Sequence, residues 1–130
     1  MKSPFPECQF IIGKSQEVYN EIADESQHFL FIDGSHSFHN TAADFLLYKD
    51  KIVKGGYIAF HDTGKQIKPF KDFQGLPTDN RKDPLNYIAC RLACEKLGLL
   101  DNTFHGWELV FDESDETKDT GGILVIRKKD

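Results

Sequence analysis

Residues Phe29–Asp62 read FLFIDGSHSFHNTAADFLLYKDKIVKGGYIAFHD, and the reading of this stretch decides the fold. Phe29–Ile32 is an unbroken apolar run that stops at Asp33. Continuous rather than alternating apolarity predicts a strand covered on both faces, as in a parallel sheet. Asp33-Gly34-Ser35 has the chemistry of a turn. From Asn40 or Thr41 a helix is predicted, with Ala42, Phe45, Leu46, Ile52 and Val53 on one stripe and Lys49 as its polar break. Gly55-Gly56 should end that helix, because a C′ residue favours the left-handed conformation that glycine adopts freely. Tyr57–Phe60 is then a second buried strand, ending in His61-Asp62. Strand, helix and strand make a βαβ unit with a right-handed crossover.

Working outward toward the N-terminus, Cys8–Ile12 is a short apolar run that stops at Gly13 and is predicted to be a further strand. Ser15 is placed to cap a helix running to about Asp24, with Glu17 in its first turn and Val18, Tyr19 and Ile22 on its apolar face. Toward the C-terminus, the polar stretch Thr63–Lys82 is a long loop of the kind that usually carries function. Asp83-Pro84 pairs an N-cap with a first-turn proline for a helix reaching about Leu97 and stopping at Gly98. Trp107–Phe111 and Ile123–Ile126 are two more strands. The acidic segment between them is too short for a helical crossover, so they should pair as an antiparallel hairpin. The expectation is one α/β domain over residues 1–130, a mostly parallel sheet with a C-terminal antiparallel hairpin.

Composition narrows the function classes. With 130 residues, 39% hydrophobic and 28% charged, the chain can bury roughly two-thirds of its unfolded surface. A net charge of −5 speaks against a nucleic-acid partner, which would want a basic face. No apolar run approaches the roughly 20 residues of a membrane span, and the first residues lack the pattern of a secretory leader. Cys8, Cys90 and Cys94 make neither an even set nor a C-x-x-C pair. Cys90 and Cys94, four apart on a helix, read as buried thiols, and the whole as a cytoplasmic protein.

The chemistry-bearing residues gather at strand ends. In open α/β sheets ligands sit outside the C-terminal ends of the strands, and Asp33 and the His61-Asp62 pair lie at two such ends. Adjacent strands are about 4.8 Å apart, so two carboxylates and an imidazole would share one corner. A divalent cation would reconcile them. Oxygen ligands with water suit magnesium, whereas a first-shell histidine favours manganese, iron or zinc. Spacing alone leaves equally open that Asp33 and Asp62 cap turns and that His61 is a satisfied strand-end histidine. His36, three residues past Asp33, has the pKa range of a general base, although loop histidines are more often simply solvated. Gly13-Lys14-Ser15-Gln16 could offer backbone amides to a polar ligand, but a lone Gly-x-Ser is a weak signal.

The block FIDGSHSFHNTAADFLLYKDKIVKGGYIAFHD resembles the segment around the fourth and fifth strands of class I S-adenosylmethionine-dependent methyltransferases of the macrocin O-methyltransferase and cephalosporin-hydroxylase type. IIGKSQEV is similar to that family's third strand and adenine turn, and WELVF…GGILVIRKK to its reversed last strand. The resemblance implies a Rossmann-like fold with strands three to seven present. It implies S-adenosylmethionine as cofactor, touched near its adenine by Gly13, Ser15 and Gln16. It further implies a divalent cation, magnesium or manganese, on Asp33, His61 and Asp62, where the family normally has a carboxylate in place of His61. His36 would be the base toward a hydroxyl of a sugar or other small molecule. The family's glycine-rich loop after the first strand and the acidic residue ending the second have no counterpart before Cys8. The expectation is therefore the C-terminal part of such an enzyme, inactive as this chain alone.

Two other functions compete: an inactive remnant kept as an interaction module, and a metal-dependent hydrolase using Asp33, His61 and Asp62. The hydrolase ranks last, because hydrolases place an HD pair on helices. The strand count also predicts an open flank beside Phe29–Ile32. Either Cys8–Ile12 slides in to cover it or a second copy of the chain does, giving a homodimer.

Overall fold

A computed structural model describes residues 7–35, 37–64, 90–113 and 122–130 of the chain. In order, they form α1 (Ser15–Val18) continued by a 3-10 turn (Tyr19–Glu21), β1 (Gln27–Ile32), α2 (Phe38–Tyr48) with a 3-10 turn (Lys49–Lys51), β2 (Ile52–His61), α3 (Cys90–Leu97), β3 (Trp107–Glu113) and β4 (Ile123–Lys128). The sheet order is β1-β2-β4-β3. β1 and β2 are parallel, and β4 runs antiparallel to both β2 and β3. The α/β class, the βαβ unit and the C-terminal hairpin agree with the sequence reading. The sheet is mixed rather than mostly parallel, since parallel pairing among the described residues is confined to β1–β2.

Three expectations are corrected. Cys8–Ile12 is not a strand: it pairs with nothing in the sheet, and Phe10 and Ile12 are 49% and 72% exposed. It therefore does not slide in beside β1, which is an edge of the sheet among the described residues. The helix after Asp33 ends at Tyr48, well before Gly55-Gly56, and Ile52 and Val53 open β2 instead. β-Branched residues favour the extended chain, and Ile52 pairs there with Gln27. Between the pairs Gln27↔Ile52 and Phe29↔Tyr57 the β2 strand carries extra residues, and Gly55, at φ +83°, absorbs the resulting bulge. Finally, Ser15 is not an N-cap. Lys14 holds that position, and the Ser15 hydroxyl is used elsewhere.

α2 begins where Ser37 Oγ accepts a hydrogen bond from Asn40 N (3.1 Å), an N-cap one turn earlier than the apolar pattern suggests. Its buried stripe is Thr41, Asp44, Phe45 and Tyr48, whereas Leu46 is exposed. Two of those four residues are polar because this face meets the start of α1 and the start of α3 as well as the sheet. Thr41 Oγ1 lies 3.5 Å from Cys90 Sγ. Phe45 packs edge-on against Phe104 and Trp107, with ring centroids 5.2 and 5.7 Å away, and at a tilt against Phe60.

Register divides the sheet into two faces, because residues paired across strands share a face. Leu30, Ile58, Ile126 and Leu109 form one row, with Ile32, Phe60 and Leu124 in the next. These rows meet the helices, and Ile58, Phe60, Leu124 and Ile126 are fully buried. On the other face, Phe31, Ala59, Val125 and Phe111 form a row beside Phe29 and Tyr57. Phe29, Phe31, Tyr57 and Phe111 are all exposed there.

Candidate functional site

Asp33 follows β1 directly, and the pair Ile32↔Phe60 sets it beside His61 at the end of β2. His61 Nδ1 lies 3.2 Å from Asp33 Oδ1 and 3.0 Å from Asp62 Oδ2. Neither contact has hydrogen-bond alignment, so Nδ1 is a buried polar atom without a hydrogen bond among the described residues. Asp62 is brought back toward His61 by a left-handed backbone, φ +59°, which aspartate tolerates better than most residues. Its amide donates to Gly122 O (3.2 Å). Gly122 must stay without a side chain, because a Cβ there would run into the backbone of Gly64. The end of β2 and the start of β4 thus brace the loop that carries Asp62.

Three donor atoms, one each from Asp33, His61 and Asp62, lie within 4.8 Å of one another. In an octahedral site with bonds of about 2.1 Å, neighbouring donors stand about 3 Å apart, which matches the two measured separations. The unbonded Nδ1 facing two carboxylates fits a cation better than it fits a finished hydrogen-bond network. One nitrogen with two oxygens suits manganese, iron or zinc more than magnesium.

α3 contributes residues that sequence reasoning did not single out. Arg91 makes a two-pronged ion pair with Asp112 of β3 (3.0 and 2.9 Å) and donates to Thr63 O (3.1 Å). It thereby fixes the chain just after Asp62. Thr63 is fully buried, and its hydroxyl has no hydrogen bond among the described residues. Cys90 lines a small cleft with Asp33, His61 and Asp62, but burial pushes its thiol up to about 11. Cys94 is raised further by the same cause. Neither thiol is a nucleophile at neutral pH; the reading of both as buried thiols stands.

A larger cavity of about 330 Å³ runs along the free edge of β1, lined by Ser15, Leu30, Phe31, Ile32, Asp33, Gly34, Asp44 and Tyr48. Of the predicted nucleoside-side residues, only Ser15 reaches it. Gln16 instead donates through Nε2 to Asn40 Oδ1 (2.9 Å), and Gly13 lies outside the lining. Asp44 and Tyr48 were missed because the helix was read by its apolar positions, and a buried aspartate breaks that pattern. His36 lies outside the described residues, as does most of the loop expected to shape an acceptor pocket. No helix among the described residues is long and apolar enough to cross a membrane.

Strand order and the reversed C-terminal hairpin are those of the Rossmann-like methyltransferase fold. Comparison with known proteins agrees. Residues 5–63, just under half the chain, match the model of a family described as a methyltransferase domain. The structure is similar to that of a protein from Corynebacterium glutamicum, with a TM-score of 0.62 and 18% identity over 98% of this chain and 50% of the other. It is also similar to a protein from Thermus thermophilus described as a possible DNA modification methylase and solved with S-adenosyl-L-methionine. There the TM-score is 0.50 and the identity 12%, over 91% of this chain and 51% of the other. The chain thus spans about half the length of the solved structures it matches. No curated protein matches it.

Proposed function

We propose that this chain is the acceptor- and metal-binding part of an S-adenosylmethionine-dependent O-methyltransferase acting on a hydroxyl of a sugar or other small molecule. The observation that carries the reading is the meeting of Asp33, His61 and Asp62 at the ends of two adjacent parallel strands, beside a cavity that reaches Ser15. The match of residues 5–63 to a methyltransferase domain covers both ligand-bearing strands. When bound, S-adenosylmethionine supplies the methyl group, and a divalent cation on Asp33, His61 and Asp62 lowers the pKa of an acceptor hydroxyl. The chain's own part is to place that hydroxyl, and placement is worth several kcal/mol of barrier. His36 is proposed as the residue that takes the proton.

A thermal-shift titration with S-adenosylmethionine, with and without manganese or magnesium, tests the reading. Cofactor at a hundred times its dissociation constant should stabilise the fold by about 2.7 kcal/mol, several degrees for a domain of this size. A melting temperature unmoved by millimolar cofactor, with or without metal, would sink it. A second reading, an inactive methyltransferase-like domain kept as an interaction module, draws support from the unpaired β1 edge and the exposed Phe29, Phe31, Tyr57 and Phe111. Its occupant would be a second copy of the chain.

A further inference from the structure

Among the described residues, the two edges of the sheet are built differently. β3, at one edge, carries Glu108, Asp112 and Glu113 and breaks its pairing register between Leu109 and Phe111. Charges and a bulge blunt an edge against pairing with another chain. β1, at the other edge, reads Gln-His-Phe-Leu-Phe-Ile and has no carboxylate, lysine, arginine or proline. The apolar segment before it in the same chain, Cys8–Ile12, does not pair with it. Its unprotected backbone is a template for one more strand.

The β1 edge fits a copy of itself. A twofold axis through an antiparallel pair keeps both helix layers on one side of the sheet, so directly opposite residues share a face. With Leu30 opposite the partner's Leu30, Phe29 meets the partner's Phe31 and Phe31 meets the partner's Phe29. Sliding to the next allowed register in either direction sets Phe31 against Gln27 or Phe29 against Asp33 instead. Phe29 and Phe31 are both exposed and have surface to give to such cross-strand pairs. We propose that two copies of this chain join through β1, antiparallel, in the register that centres on Leu30. This rests on the reading of the open edge as an interaction surface given above, and adds to it the register and a shared ligand corner. The same register sets the partner's Gln27 opposite Asp33, beside His61 and Asp62. Gln27 donates its amide nitrogen to Ser26 Oγ (3.1 Å), so the amide oxygen is the group it can offer a cation there. Phe31, inside the paired strand, also lies against the His61 ring, with centroids 5.9 Å apart.

Sedimentation velocity of the whole chain over a concentration series reads the association, and disulfide trapping reads the register. The wild-type chain should dimerise. Phe29→Lys, a charge at an exposed edge position, should weaken the dimer roughly tenfold or more with the circular dichroism unchanged. In a Cys8→Ser background, a mixture of Phe29→Cys and Phe31→Cys chains should oxidise to a linked pair faster than either chain alone. A wild-type chain that stays monomeric would overturn the proposal and the interaction-surface reading together. A dimer that survives Phe29→Lys, or one in which the mixture links no faster than its parts, would overturn the proposal and leave that reading standing. Manganese, titrated by calorimetry at dimer-forming concentration, should bind Gln27→Ala roughly tenfold more weakly than wild type, with the dimer intact. Equal affinity, or binding to neither chain, would overturn the shared corner.

Discussion

The two faces of the sheet are built from similar residues and have opposite fates. On the helix side, Ile58, Phe60, Leu124 and Ile126 are entirely buried. On the far side, Phe29, Phe31, Tyr57 and Phe111 are between 41% and 58% exposed. Strands apolar on both faces are the mark of a sheet sandwiched between two layers, and the described residues supply only one. The difference teaches that these strands are written for a cover that the described part of the chain does not provide.

Truncation on each face tests that contrast most directly. Phe60→Ala should cost about 3–5 kcal/mol, the usual range for emptying a buried phenylalanine site. Phe31→Ala, 45% exposed in the wild-type chain, should change stability by about 0.5 kcal/mol at most. Denaturant unfolding of the two variants reads both. A Phe31→Ala cost comparable to that of Phe60→Ala, growing with protein concentration, would mean that a second copy covers the open face in solution.

Next in size is the brace at the rim of the covered face. Arg91→Ala removes the ion pair to Asp112 and the bond to Thr63 O, and should cost about 1.5–3 kcal/mol. Because Thr63 follows Asp62, the same variant should weaken manganese binding in a metal titration. Unchanged metal affinity would separate the brace from the ligand corner.

The smallest effect is electrostatic and belongs to the helix side, where Asp44 lies on the buried face of α2. Burial raises the Asp44 carboxyl above its ordinary value, and the Ser15 hydrogen bond offsets this in part. The folded state therefore binds this proton more readily than the unfolded chain does. Asp44's contribution to stability is full below the ordinary carboxylate range and is lost as pH rises through the raised native value. Asp44→Asn should flatten that part of the stability-against-pH curve. A curve of unchanged shape would show that Asp44 is not desolvated in solution.

Much of this was legible in the residues. The run from Phe29 to Asp62 sufficed for two strands and a helix, because apolar strands and a helical stripe are local patterns that tertiary contacts had no cause to override. Asp33, His61 and Asp62 could be named because they terminate those strands. Helix ends read less well. Gly55-Gly56 has the chemistry of a helix stop and serves as a bulge in β2, since Ile52 and Val53 gain more from an extended backbone next to β1. Cys8–Ile12 has the composition of a strand and is not one. A strand needs a neighbour to take its hydrogen bonds, and composition cannot show whether one is there.

The sequence by itself determined the α/β class, the hairpin and the strand ends that bear the candidate ligands, all of which follow from short-range periodicity and turn chemistry. Only the tertiary structure decided that donor atoms of Asp33, His61 and Asp62 meet within 4.8 Å of one another and that Arg91 braces the loop beside them. It alone decided that Asp44 is buried and held by Ser15 at the wall of a cavity. These facts depend on which distant segments pack together, and a polar residue on a buried helix face carries no signal in sequence until its partner is in place.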